Sequence, residues 1–392
     1  FVTQSDGKTV IVGNFNSING TSAGCIARLN LDGSLDTSFN VGNGVIGSSP
    51  NRPYYISSIA ILPNDKIIIV GFFRNFNNVL KNSIVKLNSD GSIDQSFNTG
   101  NGFLADDYFT NNIPGIIDKI VVKTNGEIIT EGVFKEYNNQ STINITNNLC
   151  LLNSNGNLNT SLSYNGAVNG GINAFEVQTD GKIILSTVKF TNFSGSLFPQ
   201  EDYYLKRINS NGSLDNTFTL NNTILSSANI GGIPFNDSSE YVRVNDIKYL
   251  NNGKIIVAGS FVNKFGTNKR SISLLNSNGT NDNSFIGVGA NTNGSSVDIR
   301  SIYIQSDGKI LIGGRFSFFS NISAKNIARV NQNGTYDSTF NSGNGFSGGS
   351  QSNNYLYLIK QLSNNKAICI GDFTSYNGIS RNSILRLNSN LI

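Results

Sequence analysis

Residues Ile56 to Phe97 read ISSIAILPNDKIIIVGFFRNFNNVLKNSIVKLNSDGSIDQSF. The order is an apolar run, a turn, a second apolar run ending in Gly, a loop, a third run into Lys-Leu-Asn, then an Asp-Gly turn and a short final strand. The same order is written seven times between Phe1 and Ile392. Taking the turn residue before the second run as anchor gives Lys8, Lys66, Glu127, Lys182, Lys254, Lys309 and Lys366, at intervals of 58, 61, 55, 72, 55 and 57 residues. Self-similarity on this scale points to a propeller, solenoid or array. Five residues after each anchor stands Gly13, Gly71, Gly132, Thr187, Gly259, Gly314 or Gly371. Phe follows two later except in the fourth copy, where it slips to Phe190.

Period-two alternation marks the first strand of each unit: Ile59 with Ile61, Ile120 with Val122, Phe175 with Val177, Ile247 with Tyr249, and Ile302 with Ile304. Continuous β-branched runs such as Ile67–Val70 and Ile310–Ile312 read as second strands buried on both faces. Third strands lead into Arg28-Leu29-Asn30, Lys86-Leu87-Asn88, Arg207-Ile208-Asn209, Arg329-Val330-Asn331 and Arg386-Leu387-Asn388. An Asp-Gly or Asn-Gly turn, a strong hairpin signal because both residues tolerate positive φ, then opens a short fourth strand at Ser34–Phe39, Ser92–Phe97, Ser213–Phe218 and Thr335–Phe340.

Four antiparallel strands repeated seven times, with no sustained helical periodicity, predict an all-β, seven-bladed β-propeller; an open β-repeat array is the alternative. The expected blades are residues 1–40, 56–98, 116–162, 172–218, 244–285, 299–340 and 355–392, together forming a single domain that is part of a longer chain. Long inserts at Asn192–Tyr203 and Thr219–Arg243 break the pattern, and the seventh copy stops before its fourth strand.

Composition narrows the function. Charged residues are 14% of the chain and the net charge is +4, with no Lys/Arg run, so no nucleic-acid partner is expected. No apolar run approaches the roughly 18 residues of a membrane-spanning helix, so no membrane insertion is expected either. Cys25, Cys150 and Cys369 are too far apart for a zinc site or a disulfide framework and read as small buried hydrophobes. The chain contains no His, which removes Ser-His-Asp and Cys-His nucleophiles and every His-ligated metal.

The sixth copy, Gln305-Ser-Asp-Gly-Lys-Ile-Leu-Ile-Gly-Gly-Arg-Phe316 followed by Ala328-Arg-Val-Asn331 and Asp337-Ser-Thr-Phe-Asn341, resembles the Delta-60 repeat of β-propeller proteins. The resemblance runs along essentially the whole chain and is strongest in the first, second and sixth copies. The third departs from it with Glu127 for Lys, Leu151 for Arg and Asn159 for Asp. The resemblance implies an exposed protein, secreted, at a bacterial cell surface or in a virion appendage, and implies no catalytic residue.

The repeated Asp and Asn side chains read as turn caps. No cofactor is expected; were calcium held, Asp32, Asp36, Asp90 and Asp94 would supply the oxygens. The repeated Arg28, Lys86, Arg207, Arg329 and Arg386 are expected to pair locally with the Asp of their own turn or to lie along the blade with the charge solvated; a ring of them on one face recognising an anionic ligand is the alternative. No catalytic residue is assigned, although paired acids among Asp106, Asp107, Glu201, Asp202, Asp237 and Glu240 would suit a carbohydrate-active enzyme. Tyrosines gather where the repeat is broken, and Tyr54, Tyr55, Tyr108, Tyr203, Tyr204, Tyr241 and Tyr355, with Tyr357, are the expected ligand contacts. The expectation is a non-enzymatic structural and binding module, a surface adhesin or virion component. Its partners are a glycan or protein at a surface and other domains of its own assembly. A ligand-free spacer is a further alternative. Function is then expected at Leu104–Pro114, Asn192–Tyr204 and Thr219–Arg243.

Overall fold

The second strand of every repeat sits in the middle of a three-stranded antiparallel sheet, with the first strand on one side and the third on the other. The computed structural model describes residues 1–49, 52–106, 113–141, 149–162, 171–191, 200–218, 243–262, 270–287, 289–291, 297–349, 355–362 and 366–388. In the sixth repeat, Ile310–Arg315 lies between Asp298–Ile304 and Ile327–Val330. In the second, Ile67–Phe72 lies between Tyr55–Ile61 and Ile84–Leu87. All six residues of Ile67–Phe72 are buried, as a β-branched run flanked on both edges and covered on both faces requires.

The expected fourth strand amounts to one bridge in each of six repeats: Leu29 with Leu35, Leu87 with Ile93, Leu152 with Leu158, Ile208 with Leu214, Leu275 with Asn281 and Val330 with Tyr336. The ladder stops because the next Asp turns the chain. In the first repeat the Asp36 amide still donates to the Arg28 carbonyl at 2.8 Å. The Asp36 carboxylate then takes the amide of Ser38 at 3.0 Å and its hydroxyl at 2.6 Å, an Asx turn that bends the backbone off the sheet.

The segment read as a loop between second and third strands is a miniature hairpin. Asn75–Phe76 pairs with Val79–Leu80, and both turn residues, Asn77 (φ 46) and Asn78 (φ 64), are left-handed. Asn138-Asn139 and Ser320-Asn321 repeat the geometry, which matches the twist of a two-residue hairpin and accounts for part of the Asn content.

The chain divides into two compact units, Phe1–Val168 with Ser210–Ser213, and Asn169–Asn209 with Leu214–Ile392. Within each, one repeat alone cannot cover both faces of its sheet, and the cores are shared by neighbours. In the first unit, one cluster joins Val10 and Ile26 of repeat one to Ile67 and Val85 of repeat two, and another joins Ile68 and Ile84 to Ile128 and Cys150 of repeat three. In the second unit, repeats four and five meet through Ile184 and Val257, five and six through Ile256 and Ile312, six and seven through Leu311 and Cys369. Cys25, Cys150 and Cys369 are free and buried in these layers. Among the described residues no helix is long and apolar enough to cross a membrane.

One core position is out of character. Glu131, 5% exposed, lies in Ile128–Val133 opposite Lys119. Burial, then the charge of Asp118, push its carboxyl up to about 8 against the opposing pull of Lys119. A raised folded value means that its stabilising contribution is complete below the ordinary 4.5 and is lost as pH rises through about 8. Glu131→Gln is therefore expected to raise the melting temperature at pH 8 and leave it nearly unchanged at pH 4. Equal melting of both proteins at pH 8 would show that the carboxylate is accommodated without cost.

Candidate functional site

Two polar systems recur through the repeats, one closed on itself and one open to solvent. The closed one lies under the Asp-Gly turn. In the first repeat, Asp36 Oδ2 accepts from Arg28 Nε at 2.8 Å and from Lys8 Nζ at 2.9 Å. The Arg28 guanidinium also reaches the Gln4 side chain at 3.0 Å and the Ser89 carbonyl of the next repeat at 2.7 Å, and lies 4.6 Å from the centre of the Phe39 ring. Burial pushes the Asp36 carboxyl up, but the Ser38 hydroxyl, Lys8, the Ser38 amide and Arg28 outweigh it and hold the group well below the carboxylate range. Lys66 with Asp94, Lys182 with Arg207 and Asp215, Lys254 with Asp282, and Lys309 with Arg329 and Asp337 repeat the arrangement. The paired acids are nearly buried, so these Lys and Arg groups hold the turn in place.

The calcium candidates fall into this system. Asp36 and Asp94 are in the ion pairs, and Asp32 and Asp90 cap their turns through the amides and hydroxyls of Ser34 and Ser92. Among the described residues no three His, Cys, Asp or Glu gather as a metal site would need.

The open system runs along the first strands. Six of them carry a β-bulge at the same place, between Ile56 and Ser58, Ile117 and Lys119, Ile172 and Ala174, Val244 and Asp246, Ile299 and Ser301, and Leu356 and Leu358. The extra residue is Ser57, Asp118, Asn173, Asn245, Arg300 or Tyr357, each partly or fully exposed between buried or half-buried neighbours. A bulge re-aims one side chain while the strand around it stays paired. It follows that this position varies freely in chemistry while the rest of the repeat is held by packing. Some bulge residues knit adjacent sheets. Ser57 Oγ donates to the Ile117 carbonyl, and Asn245 Nδ2 donates to Asp298 Oδ1 at 2.5 Å and to the Ile299 carbonyl at 2.9 Å.

At Arg300 and Tyr357 the row becomes an aromatic platform. Tyr355 and Tyr357 stack with centroids 5.8 Å apart and planes 5° from parallel. The guanidinium carbons of Arg300 and Arg315 lie 5.5 and 5.0 Å from the Tyr355 centroid, and Arg300 Nε is held by Asp298 at 2.6 Å. Tyr357 is 49% exposed, which leaves ring surface and hydroxyl available. Burial and then Asp372 push that hydroxyl upward against Arg300, so it stays protonated at neutral pH and can donate.

The other expected tyrosines are placed differently. Tyr54 and Tyr55 pack against Phe72, at 5.4 and 6.1 Å between centroids. Tyr204, 42% exposed, stands in Gln200–Ile208 with the Lys206 ammonium 5.6 Å away. Tyr203 is in the same strand, with Glu201 and Asp202. Tyr55, Tyr203, Tyr204, Tyr355 and Tyr357 thus belong to strands rather than to the loops expected for them. Tyr108, Tyr241, Asp107, Asp237 and Glu240 lie outside the described residues, as does most of Thr219–Arg243. Asp106 pairs with Lys135 at 2.7 Å. Sequence reading missed the bulge row, although a signal exists: Ile56 to Ile59, Ile117 to Ile120, Ile299 to Ile302 and Leu356 to Ile359 are three apart where an unbroken strand would place them two apart.

The family described as a domain of unknown function (DUF5122) beta-propeller matches residues 4–39, 62–97, 178–218, 250–285, 305–340 and 362–391, more than half of the chain. The third repeat, with its exchanged charges, is outside the matched stretches. No curated protein matches the sequence. Similar solved structures include a protein of unknown function from Bacteroides caccae, at 12% identity, 83% of this chain, 91% of that one and a TM-score of 0.37. A GH74 xyloglucanase from Xanthomonas campestris is similar at 9% identity over 90% of this chain, which spans 45% of the enzyme, with a TM-score of 0.47. Extracellular domains 1–2 of Drosophila Semaphorin 1a are similar at 9% identity, 90% of this chain, 88% of that one and a TM-score of 0.36. Likeness at this level carries no argument about activity.

Proposed function

This chain belongs to the DUF5122 β-propeller family, and from that premise we propose that it is a non-enzymatic binding module of an exposed assembly, taking a glycan or protein surface on the bulge row centred on Tyr357. The finer reading makes it a seven-bladed propeller of Delta-60 type with four-stranded blades, secreted or carried on a cell surface or virion, attached to further domains of its own assembly and needing no cofactor. The observation that carries the proposal is the stacked pair Tyr355–Tyr357 with Arg300 and Arg315 on it. Aromatic faces fixed before binding cost little entropy to use, and a donor hydroxyl at the rim adds direction.

The test is binding of the purified chain to an array of immobilised oligosaccharides and surface proteins. Tyr357→Ala is expected to weaken the retained interaction about tenfold or more, as loss of an aromatic anchor does. Tyr204→Ala, on another exposed strand, should change it little. A binding signal indifferent to Tyr357 would remove the platform from the reading.

A further inference from the structure

In three repeats one slot is filled by the chain's own guanidinium, and in the fifth the same slot is open. Arg28, Arg207 and Arg329 each send Nε to the turn Asp, at 2.8, 2.8 and 2.6 Å, and Nη2 to the hydroxyl two residues later, Ser38, Thr217 or Thr339. Nη1 of Arg28 and of Arg207 crosses to the next repeat's turn, taking the Ser89 carbonyl at 2.7 Å and the Ser277 carbonyl at 2.6 Å. Phe39, Phe218 and Phe340 lie under the three guanidiniums at 4.6, 4.8 and 5.5 Å. Repeat five keeps the turn side of the receiving set. The Asp282 amide donates to the Leu274 carbonyl at 3.0 Å, and Asp282 Oδ1 takes the amide and hydroxyl of Ser284 at 2.9 and 2.7 Å. Phe285 follows, and Gln332 stands at the facing turn where Ser89 and Ser277 stand elsewhere. The guanidinium is missing, because the residue at its position is Leu274, and Leu250 stands where Gln4 meets Arg28 in repeat one. A groove of about 600 Å³ opens there, lined among others by Tyr249, Leu250, Leu274, Ser284, Gln332 and Asn333.

We propose that this groove receives an arginine side chain from a partner protein, which takes the place that Arg28 and Arg207 fill in their own repeats. The outer acceptors, the Ser284 hydroxyl and the Gln332 turn carbonyl, meet its Nη groups, and the Leu274 and Leu250 side chains carry its methylenes. Asp282 lies behind and is paired at 2.5 Å with Lys254, which lines the groove, so the contact depends on planar, forked hydrogen bonding more than on net charge. Lysine, a point donor, fits this set poorly.

The experiment titrates the whole chain with Nα-acetyl-arginine amide and its lysine counterpart, followed by NMR shifts and calorimetry. The arginine probe is expected to bind at least about tenfold more tightly than the lysine probe. Leu274→Arg fills the slot from within, so it should abolish probe binding and raise the melting temperature. Ser284→Ala, at an exposed side chain, should weaken the arginine probe several-fold and serves as the deciding variant if Leu274→Arg does not fold. No binding, equal affinity for both probes, binding of oligosaccharides alone, or arginine binding that survives both substitutions would each overturn the proposal.

Discussion

Gly314→Ala is expected to destabilise the second unit by about 2–3 kcal/mol, near the upper end of the cost of overpacking a filled core. Gly314 pairs with Ile299 where the first strand bulges. The bulge presses the Asp298 carbonyl onto the second strand, so an added Cβ would overlap that oxygen and stand 2.7 Å from Ile299 Cα. Both obstacles are backbone, and no rotamer change removes them. Gly71, Gly132, Gly259 and Gly371 meet the carbonyls of Tyr55, Ile116, Arg243 and Tyr355 in the same way. In these five repeats the glycine makes room for the bulge, which re-aims the variable residue. Gly13 is the control, since its nearest obstacle is the Phe15 ring at 3.4 Å. Gly13→Ala should stay within about 1 kcal/mol of the parent protein. Thermal and urea melts of both variants decide the matter; equal losses would assign the glycine some other role. Repeat four keeps the bulge with Thr187 opposite Ile172, and its second strand continues to Thr191.

The repeated elements were legible because their causes are local. Ile310–Arg315 announces itself by apolar continuity, and the Asp-Gly turn by its φ requirement. The two-residue hairpin at Asn75–Leu80 is too short to show any period and reads as loop. The bulge at Ser57 or Tyr357 leaves a three-residue spacing, but alternation resumes at once in Ile59 and Ile61 and conceals it. The groove beside Leu274 was out of reach for another reason. Its meaning depends on Arg28 contacting a carbonyl 61 residues away, and substitution of that Arg by Leu carries no weight until the contact is known. Arg28 also meets Gln4, and in repeat five both positions are apolar, Leu274 with Leu250.

The turn cluster makes the other large prediction. Asp337, its side chain 6% exposed, holds Lys309 at 2.9 Å and Arg329 at 2.6 Å. Asp337→Asn leaves two cations around a neutral group and is expected to cost about 3–5 kcal/mol, the penalty for breaking a buried pair from one side. The molecule also contains the compensated version. In repeat three the Asp position is Asn159, the Lys position is Glu127 and the Arg position is Leu151; Lys123 pairs with Glu127 at 2.6 Å, and Asn159 Nδ2 donates to Glu127 at 2.9 Å. Carrying that set into repeat six, as Asp337→Asn with Lys309→Glu, Arg329→Leu and Gln305→Lys, should therefore recover about half or more of the loss, as contacting residues couple strongly. Recovery below that would mean the cluster depends on its neighbours and not on its own charge balance. The pH dependence follows from the same residues. Burial raises the carboxyls of Asp36, Asp94, Asp215, Asp282 and Asp337, yet the hydroxyl, amide and cation contacts outweigh it, and Asp94 settles at about 2. Groups whose folded value is depressed contribute fully above the unfolded value of 3.8 and lose that contribution as pH falls toward 2. Stability should accordingly drop steeply below pH 4, and the transplanted repeat six should lose stability there too, because its new Glu is the counterpart of Glu127, which Lys123 and Asn125 hold below the ordinary range.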